Sequence, residues 1–153
     1  MPTRILVRKC FIVDLRKLKE EFWLRHSNPW SGLTRMLTTP FLYLAIWYHN
    51  WVGLGIVILW IIINPVVFPK PKKVNSWFSK VVLGEKVWLS KFKSRPQLDL
   101  AAILNILIAV FFIPSLYFAY INEFWPTLYC ATLMFVFKLW FTDRVALQYA
   151  EEK

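Results

Sequence analysis

The sequence predicts an all-α integral membrane protein: a four-helix bundle of two helical hairpins, with two amphipathic helices on its cytoplasmic surface. Three observations lead there. The chain of 153 residues is 58% hydrophobic and 18% aromatic, with mean hydropathy +0.44, against about 45–50% apolar residues in soluble domains. The apolar excess is gathered into four blocks, each long enough to cross a bilayer. All 19 lysines and arginines stand outside the short loops that join these blocks in pairs. The whole chain, 1–153, is expected to form a single membrane domain.

The first element, residues 1–27, contains "VRKCFIVDLRKLKEEFW". It places Val7, Phe11, Leu15, Leu18 and Phe22 at helical spacing, with Arg8, Lys9, Arg16, Lys19 and Glu20 mostly on the other side. This pattern fits an amphipathic helix on the inner leaflet, or a docking helix for a partner. Arg8, Lys9 and Asp14 interrupt the apolar run, so no cleavable signal peptide is expected.

The four spans follow at 29–48, 51–68, 97–121 and 124–142. Each is near the roughly 20 helical residues needed to cross a hydrocarbon core about 30 Å thick. His49-Asn50 joins the first pair and Asn122-Glu123 the second, so each pair forms a tight hairpin. Between the hairpins, "FPKPKK" breaks the helix and a second amphipathic helix follows at 74–93. At 100° per residue, Trp77, Phe78, Val81, Val82, Trp88, Leu89 and Phe92 share one face. Glu85 falls in the middle of that face, between Val81 and Trp88.

Lysines and arginines cluster at 1–35, 70–95 and 138–153, which places both termini and the central loop on the cytoplasmic side of a multi-pass inner or plasma membrane protein. On the outer face Glu123 is the only formal charge. The net charge of +10 selects anionic membrane lipids as partners. Nucleic acid is not expected, because the basic residues flank spans without a recognition motif. Cys10 and Cys130 lie in segments too far apart in depth for a disulfide. His26 and His49 fall on opposite faces and no zinc-ligand spacing is present, so neither metal nor cofactor is expected.

Candidate functional residues begin with "RHSNPWSGLTR", 25–35. Asn28-Pro29 reads as an N-cap followed by proline at the first helical position, and Trp30 as an interface anchor. Arg25, His26 and Arg35, at a helix N-terminus, form with Arg144 a candidate anion or headgroup site. Asn64, Asn105, Lys138 and Asp143 fall at a similar depth and make, with Asn28 and Glu85, a candidate polar cluster. Such residues in a membrane are functional suspects, although asparagines also join helices and lysine snorkels. A carboxylate on a buried face is costly unless paired or protonated. Glu85 is therefore expected either to pair with Arg35, Lys138 or Arg144, or to act as a proton carrier or general acid/base, with His26 and Asp143 the other catalytic candidates.

The stretches "HSNPWSGLTR", "INPVVFPKP", "WFSKVVLGEKVWL" and "KLWFTDR" occur in this order. Together they resemble a family of small bacterial and archaeal membrane proteins of unknown function, with the pattern H-x-N-P-W-S-x-x-T-R, N-P-x-x-F-P, V-L-G-E-x-x-W and K-x-W-x-x-D-R. His26, Asn28, Pro29, Trp30, Ser31, Thr34 and Arg35 match the first motif, and Asn64, Pro65, Phe68 and Pro69 the second. Leu83, Gly84, Glu85 and Trp88 match the third, and Lys138, Trp140, Asp143 and Arg144 the fourth. The resemblance implies a recurring constellation but no activity.

Three functions fit these features. The first is a non-catalytic membrane component, a scaffold or accessory subunit that meets protein partners or copies of itself. The second is an inner-surface enzyme acting on a lipid or a phosphorylated small molecule. The third is a small oligomeric transporter or proton-linked carrier, against which the outer half offers almost no polar residues.

Overall fold

The computed structural model describes residues 17–152, which are all-helical, with six helices and no strand among the described residues. Helix α1 is seen over 17–26. It is followed by α2 (Pro29–Trp47), α3 (Trp51–Val67), α4 (Trp77–Ser94), α5 (Leu100–Tyr120) and α6 (Phe124–Glu151). The amphipathic pattern expected over 1–27 lies, for its first sixteen residues, outside the described residues. Two helices, α5 and α6, are long and apolar enough to cross a membrane, and α3 is a shorter apolar helix.

Local chemistry sets most of the boundaries. Asn28 accepts the Trp30 N–H at 3.0 Å and Pro29 starts α2 with its φ already helical. Both hairpins turn by one device. His49 and Asn122 adopt left-handed φ of 50° and 58°. The next N–H in each case reaches back five residues, from Asn50 to Ala45 O at 2.8 Å and from Glu123 to Phe118 O at 3.0 Å. This is the Schellman closure that satisfies orphan carbonyls. The Asn122 amide also donates to Trp47 O at 2.7 Å, tying the end of α2 to the α5–α6 turn.

Two expected boundaries are corrected. The third span was expected from Gln97, but Asp99 caps α5 by accepting the Ala102 N–H at 2.7 Å, and Gln97 and Leu98 precede the helix. The fourth was expected to end at Thr142, where charge begins, but α6 runs on to Glu151. Val145 and Ala146 are buried there, so helix-forming residues and tertiary packing extend it past the apolar block.

Helix α6 packs along both α5 and α4, while α2 packs on α3, α5 and α4. The core sits where α4, α5 and α6 meet, around Val81, Trp88, Leu104, Phe141 and Val145, with Ala101, Ala102 and Ala146 allowing close approach. Trp88 stacks on Phe92, meets Phe141 edge-on and donates its indole N–H to Asp99 at 3.3 Å. The buried face of α4 differs from the one expected. Trp77 and Leu89 are exposed, while Ser79, Leu83 and Gly84 are buried with Val81, Val82 and Trp88.

Gly84 explains the rotation. A Cβ there would stand 2.6 Å from the carbonyl carbon of Val145 and closer still to its oxygen. The two backbones touch, as small residues permit at helix crossings. Gly84→Ala is expected to destabilise the fold by about 1–3 kcal/mol, read as a lower thermal midpoint in detergent. Gly55→Ala, where the added carbon meets open space, should leave the midpoint unchanged.

Candidate functional site

The first site feature is a corner where the end of α1 and the start of α2 meet the end of α3. Ser31 and Asn64 are both fully buried. The Ser31 hydroxyl donates to Asn64 Oδ1 at 2.6 Å, and Asn64 Nδ2 donates to Thr34 Oγ1 at 2.8 Å. Thr34 Oγ1 in turn donates a hydrogen bond to Trp30 O at 2.8 Å. Alongside, Asn28 Nδ2 donates to Pro69 O at 2.9 Å and Arg25 to Val66 O at 3.3 Å. Those carbonyls are at and just beyond the α3 C-terminus, where carbonyls lack helical partners and cations are favoured. Arg25, expected to bind an anion, here holds a carbonyl at the end of α3.

Arg35 extends from the same helix. Its Nε donates to Ser31 O at 3.3 Å and its Nη1 to His26 Nε2 at 3.0 Å. A guanidinium only donates, so Nε2 must accept and the neutral imidazole carries its proton on Nδ1. That Nδ1 is buried with no acceptor among the described residues. The ring is 8% exposed and stacks on Phe22. Burial pushes its pKa down to about 4, and the charges of Arg35 and Lys138 act in the same direction.

Glu85 meets Lys138 across α4 and α6, 3.1 Å between Oε1 and Nζ. Of the three partners expected for it, Lys138 is the one in contact. Lys138 also stands 5.0 Å from the centre of the Phe141 ring. Arg35, Glu85 and Lys138 line one cavity of about 260 Å³ between α2, α4 and α6. Its remaining walls are mainly apolar, with Phe78, Val81, Met134 and Phe135 among them.

Other candidates lie elsewhere. Asn105, expected in the cluster, is exposed on α5 beside exposed Ile103 and Ile106. It is one position from fully buried Leu104, and a 100° step carries it off the packed face. Arg144 is exposed and is not among the residues lining the cavity. Asp143 is exposed and accepts the Trp77 indole N–H at 3.3 Å. Among the described residues no group of three His, Cys, Asp or Glu side chains is placed to hold a metal ion.

Several residues that the fold uses carry no expectation from the sequence. Ser79, buried on α4, donates to Ser27 O at 2.7 Å and so fastens α4 to the α1–α2 corner. Tyr43 and Ser115 share a 2.7 Å hydrogen bond between α2 and α5. A lone serine or tyrosine in an apolar run is the available signal, and it names no partner.

Two outcomes are expected. Asn64→Ala strands the buried Ser31 hydroxyl and should cost about 1–2 kcal/mol, seen as a lower unfolding midpoint, whereas Ser31→Ala/Asn64→Leu, which removes both partners, should lose less than the two single changes added. For His26, the unfolded chain takes up a proton near pH 6.5 and the native one only near about 4. Native stability therefore falls as pH drops through that interval and is regained as it rises. Thermal unfolding from pH 7 to pH 4 should show a shallower decline in His26→Gln than in wild type. Equal slopes would rule out a buried neutral imidazole.

Neither a curated protein nor a solved structure matches the chain. A family model does, over residues 11–152, a stretch that contains the corner, the Arg35–His26 pair and the Glu85–Lys138 bridge. The chain belongs to DUF6653, a family of unknown function.

Proposed function

We propose that the protein is a four-span, non-catalytic component of the inner membrane, a scaffold or accessory subunit with its termini and the α3–α4 connection on the cytoplasmic side. One observation carries this reading: the polar side chains gathered at one end are engaged with one another across helices. Ser31 and Thr34 hold Asn64, His26 holds Arg35, Lys138 holds Glu85 and Trp77 holds Asp143. Each catalytic candidate thus has a helix-joining partner.

Further support for membrane residence comes from the outward faces, which are apolar along four helices. Phe41 and Leu44 on α2, Ile56 and Ile62 on α3, Val110 and Ile113 on α5, and Leu128 and Val136 on α6 are all exposed. Continuous apolar surface on this scale needs a cover, and lipid supplies one. Helix α3 has 17 residues, the lower end of the about 17–25 that can span. In α2 the one charge is Arg35, within two turns of the N-terminus, where its stem can snorkel.

Cysteine labelling with a membrane-impermeant maleimide in a Cys10→Ser/Cys130→Ser background tests the reading. Tyr48→Cys and Glu123→Cys should label from outside intact cells, and Lys73→Cys and Glu151→Cys only after permeabilisation. Labelling of Tyr48→Cys from the inside alone would reduce the protein to two spans. The accessory role predicts a stoichiometric protein partner in mild detergent, retained by Glu85→Gln. Purification of the chain alone under those conditions would sink it.

A further inference from the structure

We propose that the cavity between α2, α4 and α6 is a binding site for the anionic end of an amphiphile, a single phosphate or carboxylate group carried on an apolar chain. The inference rests on the membrane reading above for the source of the ligand, and on the cavity itself for its chemistry.

The cavity has an excess of positive charge. Arg35, Lys138 and Glu85 are the charged groups that line the space. Two cations face one carboxylate there, so the cavity carries one positive charge without its counterpart. His26 does not add to it, because accepting from Arg35 requires the neutral ring. Its cations also have unused donors. Arg35 spends two of its five N–H groups, on Ser31 O and His26 Nε2, and Lys138 spends one of three on Glu85. No carboxylate among the described residues forms a salt bridge with Arg35. Half-buried cations with free donors are what a phosphate or carboxylate oxygen requires.

Size and access define the rest of the ligand. About 260 Å³ equals the liquid volume of roughly nine waters. That accommodates an anionic group with the first carbons of its chain, the rest of which would lie outside the cavity among the bilayer's acyl chains. Phe78, Val81, Met134 and Phe135 offer the carbons an apolar wall, while Met36, Trp77 and Leu139 both line the cavity and are exposed. An opening fringed by apolar side chains admits a ligand from the bilayer more readily than a hydrated ion from water.

The role of Glu85 gives the test its sign. As a counter-ion it competes with the ligand for Lys138, so its removal should strengthen binding. As a structural strut alone, its removal should weaken whatever the fold supports. The experiment titrates the full chain in neutral detergent with phosphatidylglycerol, with phosphatidylcholine of the same acyl chains, and with inorganic phosphate, and reads bound species by native mass spectrometry.

Wild type should retain one phosphatidylglycerol with at least tenfold preference over phosphatidylcholine. Arg35→Gln should lose that preference, Arg35→Lys should keep part of it, and Glu85→Gln should bind several-fold tighter. Equal retention of the two lipids, or weaker binding in Glu85→Gln, overturns the proposal. Displacement of phosphatidylglycerol by inorganic phosphate at equal concentration overturns the amphiphile as the source and leaves a simple anion site. Cysteine labelling reads the topology independently, so a failure to bind lipid and a failure of the four-span arrangement are told apart.

Discussion

The backbone contact between Gly84 on α4 and Val145 on α6 is the constraint on which the rest of the arrangement depends. Two helices that meet without an intervening side chain are fixed in both separation and rotation. With α4 seated there, the residue after Gly84 faces Lys138, Trp88 is carried over Phe141 to reach Asp99, and Ser79 arrives at Ser27 O. Trp77, the first residue of α4, meets Asp143. None of these bonds is strong alone. Their geometry is set in common by a close approach that only glycine allows.

Polar satisfaction is the second organising demand. In apolar surroundings an unmatched hydroxyl or amide costs more than its partnered form contributes. The chain answers by grouping short polar side chains where α1, α2, α3 and α4 come together. Ser31, Thr34 and Asn64 form a closed relay, and Asn28 and Arg25 serve carbonyls at and beyond the end of α3. Arg35 stands apart because it has donors to spare. It lies at the boundary between this satisfied corner and the cavity.

Much of the fold was legible in the sequence because its signals are local. Asn28-Pro29 announced a helix start whose capping bond is present, and the two-residue loops announced the hairpin turns. The order of helices and the partnership of Glu85 with a basic residue were legible too. What failed was azimuth. Hydropathy assigns depth along a helix but not direction around it, and α5 is apolar on nearly every side, so Asn105 was grouped by depth with residues it does not meet. The face of α4 was misjudged for a related reason. Bulk hydrophobicity favoured Trp77 and Leu89, whereas the closest packing is governed by the smallest residue. The choice of Lys138 over Arg35 and Arg144 for Glu85, and the Ser79–Ser27 bond, depend on contacts between distant segments that no local pattern encodes.

The sequence separation of the α4 contacts bears on how the chain is built. The hairpins α2–α3 and α5–α6 close through neighbours and can form as each emerges during synthesis. Helix α4 has no hairpin partner, and its main seat is α6. Its bridge from Glu85 to Lys138 spans 53 residues and its bond from Trp77 to Asp143 spans 66. Its face towards α6 must therefore stay uncovered until nearly all of α6 has left the ribosome, although its contacts with α2 and Ser27 need only chain made before it. The cavity, which α2, α4 and α6 line together, is complete only once α6 is in place.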